Sequence, residues 1–289
     1  MVEKKIAFWM RDSSILLGGL LVTTFLVVYH WWSLAEKYFS YLDWNGPWWL
    51  NMDWLLIGVF LFMFITIVAH ANLKTDLLIV FVGIFGGMAI ELWGTQANLW
   101  HYYTAERPPL WIIPAWPIAS LSTDRITRFL DWVIKEVITK HTNNIEDTEN
   151  KLLKTSFNLL ASEKCFEIIY WITCVSFLII MLVFVSPTFN KSYTWLAFIL
   201  CIILILTQTD YRFALLTFIA GAGLGYFLEL WGTTRHCWIY YTNETPPFFA
   251  VLAHGMAVVM FWRAGLLVKL VLVKLSEYWH RFKIPRFPG

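Results

Sequence analysis

The chain has 289 residues, 58% of them hydrophobic and only 15% charged, with a mean hydropathy of +0.59. Soluble domains sit nearer 45–50% apolar and about 25% charged, so this composition excludes a water-soluble globule and points to lipid as the solvent. A net charge of +2 gives no basis for nucleic-acid binding, and it fits basic residues gathered in cytoplasmic segments.

In chain order, the short basic start MVEKKIAFWMRD precedes an apolar run from Ser14 to Trp32. That run is too long for a signal-peptide core and has no small-residue cleavage site after it, so it reads as a retained first membrane helix. Residues 33–53 read as a turn and an interfacial segment, with Trp44, Trp48 and Trp49 at headgroup level and Gly46-Pro47 breaking any helix. Helix two is expected over Trp54–Ala71 and helix three over 76–95. Pro108-Pro109 opens helix four, which runs to about Thr123 and turns amphipathic as it leaves the membrane. The polar stretch 141–163 reads as a cytoplasmic linker. Apolar runs at 164–186, 193–209, 211–231 and 247–272 give four more helices, and the basic tail SEYWHRFKIPRFPG reads as surface-bound.

Lys and Arg cluster in the N-terminus, the central segment and the tail, which places all three on the cytoplasmic side of a cell (inner or plasma) membrane. Cys165, Cys174, Cys201 and Cys237 show no CxxC or Cys/His spacing and read as free thiols.

Self-similarity is the strongest signal. ELWGTQANLWHYYTAERPP at 91–109 and ELWGTTRHCWIYYTNETPP at 229–247 agree at twelve of nineteen positions without a gap, at an offset of 138. The match extends to Gly83/Gly221 and Gly87/Gly225 upstream, and to Ala115-Trp116/Ala253-His254, Ala119/Ala257 and Arg125/Arg263 downstream. The expected fold is therefore all-α, about eight transmembrane helices in two tandem four-helix repeats, 1–140 and 164–289. Each repeat holds an even number of helices, so the two run parallel, about an axis along the membrane normal.

Each copy holds a GxxxGxxxE string: Gly83, Gly87, Glu91 and Gly221, Gly225, Glu229. Four-residue spacing puts all three on one helix face, where the glycines allow a neighbouring helix to approach and turn the glutamate inward. An ionisable group in a membrane helix is a candidate functional residue, although pairing with Arg107, His101, Arg235 or His236 would make it a scaffold. Trp93, Trp100, Tyr102 and Tyr103 surround the first glutamate, and Trp231, Trp238, Tyr240 and Tyr241 the second. The loop closed by Pro108-Pro109 is placed to act as a lid. A desolvated carboxylic acid among aromatic faces suits protonation of a carbon–carbon double bond and stabilisation of the resulting cation, with Glu91 and Glu229 as general acids. Glu106 and Glu244 read as loop residues. The sequence has no metal-ligand spacing, P-loop, dinucleotide fingerprint or nucleophile elbow, so neither metal nor cofactor is expected.

The order Glu, Gly, Trp, Tyr-Tyr, then a proline pair resembles integral-membrane carotenoid-biosynthesis proteins of the carotenoid hydratase and lycopene-cyclase-domain types. The resemblance covers about twenty residues per copy. It departs from them in carrying single rather than paired glutamates, and Leu99-Trp100 and Cys237-Trp238 where the hydratase has Phe-Gly. The resemblance implies an apolar isoprenoid ligand. Three roles are compatible with the sequence: a subunit or assembly factor docked to other subunits of a membrane complex, a polyisoprenoid hydratase, cyclase or isomerase, and a small lipid-binding protein or transporter.

Overall fold

A computed structural model describes residues 2–40, 42, 45–145 and 162–282. Among them lie nine α-helices: α1 Val2–His30, α2 Trp32–Ser40, α3 Trp54–Ala69, α4 Leu73–Ala97, α5 Ala115–Ile145, α6 Glu163–Val185, α7 Ser192–Leu206, α8 Tyr211–Thr234 and α9 Phe248–Phe282. Two three-residue strands, β1 Trp100–Tyr102 and β2 Trp238–Tyr240, follow α4 and α8. Most of the 141–163 linker, the end of the basic tail and Trp44 lie outside the described residues.

Short polar residues start the apolar helices. Asp53, Asn72, Ser162 and Asp210 each accept a bond from a backbone N–H two or three residues on, satisfying one of the orphan donors of a helix start. At the other end, α4 and α8 stop in the same way. Leu99 N–H returns to Gly94 O at 2.9 Å and Cys237 N–H to Gly232 O at 2.8 Å, with Asn98 and His236 in the left-handed region between.

Trp9–His30, Leu73–Ala97, Glu163–Thr188, Tyr211–Thr234 and Phe248–Trp279 are long and apolar enough to cross a membrane. Their outer faces carry the exposed large apolar residues expected against lipid, among them Phe25, Val183 and Leu272. Among the described residues five helices thus meet the length and composition of a span, where about eight were expected. The apolar helices α3 and α7 have 16 and 15 residues, short of the ~20 that cross a hydrocarbon core unaided. In α5, Asp124, Arg125, Arg128, Asp131 and Lys135 interrupt the apolar pattern.

Two boundaries differ from expectation. The 33–53 segment contains α2 and a 3-10 turn at Trp48–Asn51, because Trp32–Ser40 is amphipathic enough to form a short helix. Pro108-Pro109 does not open a helix. It leads into a 3-10 turn at Leu110–Ile112, and α5 starts only at Ala115. Pro117 consequently falls in the first turn of α5, where its missing N–H costs nothing, rather than breaking a span.

Helices α4, α5, α8 and α9 pack around the centre, with α9 against α8 the most extensive contact. The glycine faces make this approach possible: a Cβ on Gly83 would meet Pro117 Cα at 2.8 Å, and one on Gly221 would meet Val258 at 2.3 Å. Below them, Arg125 on α5 donates to Asp76 on α4 at 2.7 Å, with the Asp76 side chain fully buried and that of Arg125 4% exposed. The four cysteines are free thiols.

Candidate functional site: a paired-glutamate cavity

Glu91 stands near the C-terminal end of α4 and Glu229 near that of α8, both buried. The chain then turns back, and the strand after each helix brings an indole and a phenol over its own glutamate. Trp100 Nε1 and Tyr102 OH donate to Glu91 Oε2 at 3.1 and 2.8 Å. Trp238 Nε1 donates to Glu229 Oε2 at 2.9 Å and Tyr240 OH to Oε1 at 2.8 Å. The third partner comes from the following helix. Trp116 Nε1 on α5 donates to Glu91 Oε1 at 3.1 Å, and His254 Nε2 on α9 lies 2.9 Å from Glu229 Oε1.

Glycines make room for these side chains. A Cβ on Gly94 would sit 1.8 Å from the Trp100 ring, and one on Gly232 2.0 Å from that of Trp238. Gly87 and Gly225 do the same for Trp116 and His254, at 2.2 and 2.4 Å. Burial holds the Tyr102 and Tyr240 phenols well above their ordinary range, and the neighbouring carboxylates push in the same direction, so both remain hydrogen-bond donors. Burial also raises the Cys237 thiol to about 11, which keeps it neutral and unreactive.

The two sites are joined. Strands β1 and β2 pair antiparallel, Trp100 opposite Tyr240 and Tyr102 opposite Trp238, with Tyr103 N–H on Cys237 O and Tyr241 N–H on Leu99 O extending the ribbon at 3.1 Å each. Trp100 packs 5.8 Å from Tyr240, Tyr102 6.0 Å from Trp238, and Trp116 stacks on His254 at 5.7 Å. Trp93 and Trp231 reach across instead: Trp93 Nε1 donates to Thr194 of α7 at 3.3 Å, and Trp231 Nε1 to Asp53 ahead of α3 at 2.8 Å.

Both glutamates open on one largely apolar cavity of about 1740 Å³. That exceeds the ~300–1,000 Å³ usual for a small-molecule site. Phe249 and Val268, both on α9, line it, so it extends roughly 28 Å along that helix at 1.5 Å per residue. Trp93, Trp100, Tyr102, Tyr103, Trp231, Trp238 and Tyr240 are among the residues that line it. Tyr241 is not among them. Its hydroxyl donates to Phe184 O at 2.8 Å.

The cationic partners considered for the glutamates are engaged elsewhere: Arg235 pairs with Asp53 and Arg107 with Asn98. Among the described residues neither glutamate meets a Lys or Arg, and no group of three or more metal-ligating side chains forms. Gly94, Gly232, Trp116 and His254 were not singled out as site residues. For the glycines the available signal was their identity in both copies, and for the other two their shared slot 138 positions apart. Comparison with protein-family models, curated proteins and solved structures finds no match to this chain.

Proposed function

We propose that this chain is a multi-pass enzyme that binds a long polyisoprenoid, of the carotenoid or related class, and isomerises, cyclises or hydrates it without a redox cofactor. The observation that carries the reading is the juxtaposition of two buried carboxyl groups with one elongated apolar cavity walled by aromatic rings. A carboxyl O–H gives its proton to one carbon of a double bond, and the π pair becomes the new C–H bond. The cation left on the neighbouring carbon is stabilised by ring faces and carboxylate. Loss of a neighbouring proton, attack by a second double bond followed by proton loss, or addition of water then ends the reaction, with no net electron transfer. Trp111 Nε1 is buried beside the same cavity with no hydrogen-bond partner among the described residues, which suits a ligand oxygen.

The architecture we associate with this function is eight membrane segments in two parallel repeats, the shorter α3 and α7 and the charged α5 included, in the cell membrane with both termini cytoplasmic. The matching contacts 138 residues apart support it. Docking within a larger complex would be met as well by a filled core, whereas a cavity of this size lined by both glutamates favours a ligand.

The test is turnover of squalene and lycopene by the full chain in lipid nanodiscs. Glu229→Gln is expected to lower turnover at least about 100-fold, the usual worth of a general acid, while the protein stays folded and monodisperse. Full activity in both Glu91→Gln and Glu229→Gln, or no turnover of either polyene by the parent chain, would reject the reading.

A further inference from the structure

The two glutamate sites differ in one partner, and the difference is chemical. Trp116 offers Glu91 an indole N–H, which donates but cannot accept or carry a proton. His254 offers Glu229 an imidazole, which can hold a proton on either nitrogen. Its Nε2 is engaged with Glu229, and among the described residues no hydrogen bond reaches Nδ1. The His254 side chain is 24% exposed and lines the cavity, while that of Glu229 is 1% exposed, so the imidazole is the more accessible of the two groups. The Trp116 ring stacks on the imidazole at 5.7 Å and 22°. The other titratable groups facing this pair are Glu91 on α4, Tyr102 on β1 and Tyr240 on β2, and both phenols are committed as donors to the carboxyl groups.

Resting on the reading of the cavity as a proton-transfer site, we infer that the two glutamates divide the work. Glu229, loaded and unloaded through His254, is the general acid, and Glu91, which has no imidazole partner, takes no part in the proton transfer. His254, protonated on both nitrogens, passes its Nε2 proton to Glu229 Oε1. Glu229 then gives that proton to the alkene carbon and becomes a carboxylate. The proton released when the cation collapses returns to Glu229 and from it to Nε2, which restores the starting state. Exchange with water runs through Nδ1. Glu91, held by two indoles and a phenol, has no imidazole among these partners.

Infrared difference spectroscopy of the full chain in nanodiscs after a rapid drop in pH tests this without a substrate. The part of the new carboxyl band lost in each Glu→Gln variant isolates that residue. Expected is a rapidly appearing carboxyl band that Glu229→Gln removes and Glu91→Gln keeps. His254→Gln retains a hydrogen-bond donor but cannot relay, and should slow the band at least tenfold. Trp116→His should let Glu91 protonate as well, which keeps the inference falsifiable if the His254 variant does not fold. A band removed by Glu91→Gln instead, an unchanged rate in His254→Gln, or no effect of Trp116→His would each overturn it. Asymmetric protonation with no deuterium entering squalene or lycopene from heavy water supports the division of roles and rejects the substrate class. Deuterium entry with equal protonation of both glutamates does the reverse.

Discussion

Replacing Gly94 by alanine is the most telling small change to the site. The added methyl would lie 1.8 Å from Cη2 of Trp100, against about 3.4 Å for ordinary contact, so the indole must retreat by nearly half that distance. Its N–H cannot follow and still meet Glu91 Oε2, now 3.1 Å away. Overpacking of this kind costs about 1–3 kcal/mol. A hydrogen bond lost from a buried carboxyl adds about 1–3 kcal/mol more. The expected loss is therefore about 2–6 kcal/mol, accompanied by a change in tryptophan emission as Trp100 moves. Gly223→Ala is the control, since nothing lies within 4 Å of its Cβ position. Thermal unfolding of both variants in the same detergent measures the difference. If Gly94→Ala unfolds with Gly223→Ala and the parent, the indole is not pinned between helix and glutamate and the site geometry described above is wrong.

Arg125→Leu strands a fully buried Asp76 and should cost about 3–5 kcal/mol, while the double variant with Asp76→Leu should recover much of it in the same unfolding assay. Phenolate absorption should show Tyr102 and Tyr240, two of twelve tyrosines, silent through the ordinary phenol range until the chain unfolds. Their folded values are raised, so the stability they contribute is whole below the ordinary value near 10 and falls as pH climbs from there toward the folded value. Unfolding midpoints across that alkaline range check the sign, and Tyr102→Phe with Tyr240→Phe should flatten the decline.

Much of the site was legible because duplication marks it. The sequence match at an offset of 138 marks Glu91 and Glu229 and their aromatic neighbours, and aligns Trp116 with His254 without marking either as a site residue. Gly94 and Gly232 carried the same mark but resembled ordinary helix positions, since nothing local says that an indole six residues away will fold back onto them. The β1–β2 ribbon was illegible for a related reason: three residues per strand give no alternation to read, and the pairing joins segments far apart in sequence. The crossed bonds from Trp93 to Thr194 and from Trp231 to Asp53 are likewise long-range. Pro108-Pro109 misled because a proline pair signals a boundary without saying which element follows. The span count diverged because α3 and α7 are short and α5 trades apolar surface for an internal ion pair, Arg125 with Asp76.

The central claim is that the paired-glutamate cavity performs acid-base chemistry on a polyisoprenoid, and isotope transfer tests it most directly. The full chain in nanodiscs is incubated in heavy water with squalene or lycopene, and the recovered lipid is weighed by mass spectrometry. The account predicts carbon-bound deuterium in the recovered polyene, lost in Glu229→Gln. An unlabelled polyene with the parent chain, or labelling undiminished in Glu229→Gln, would contradict it.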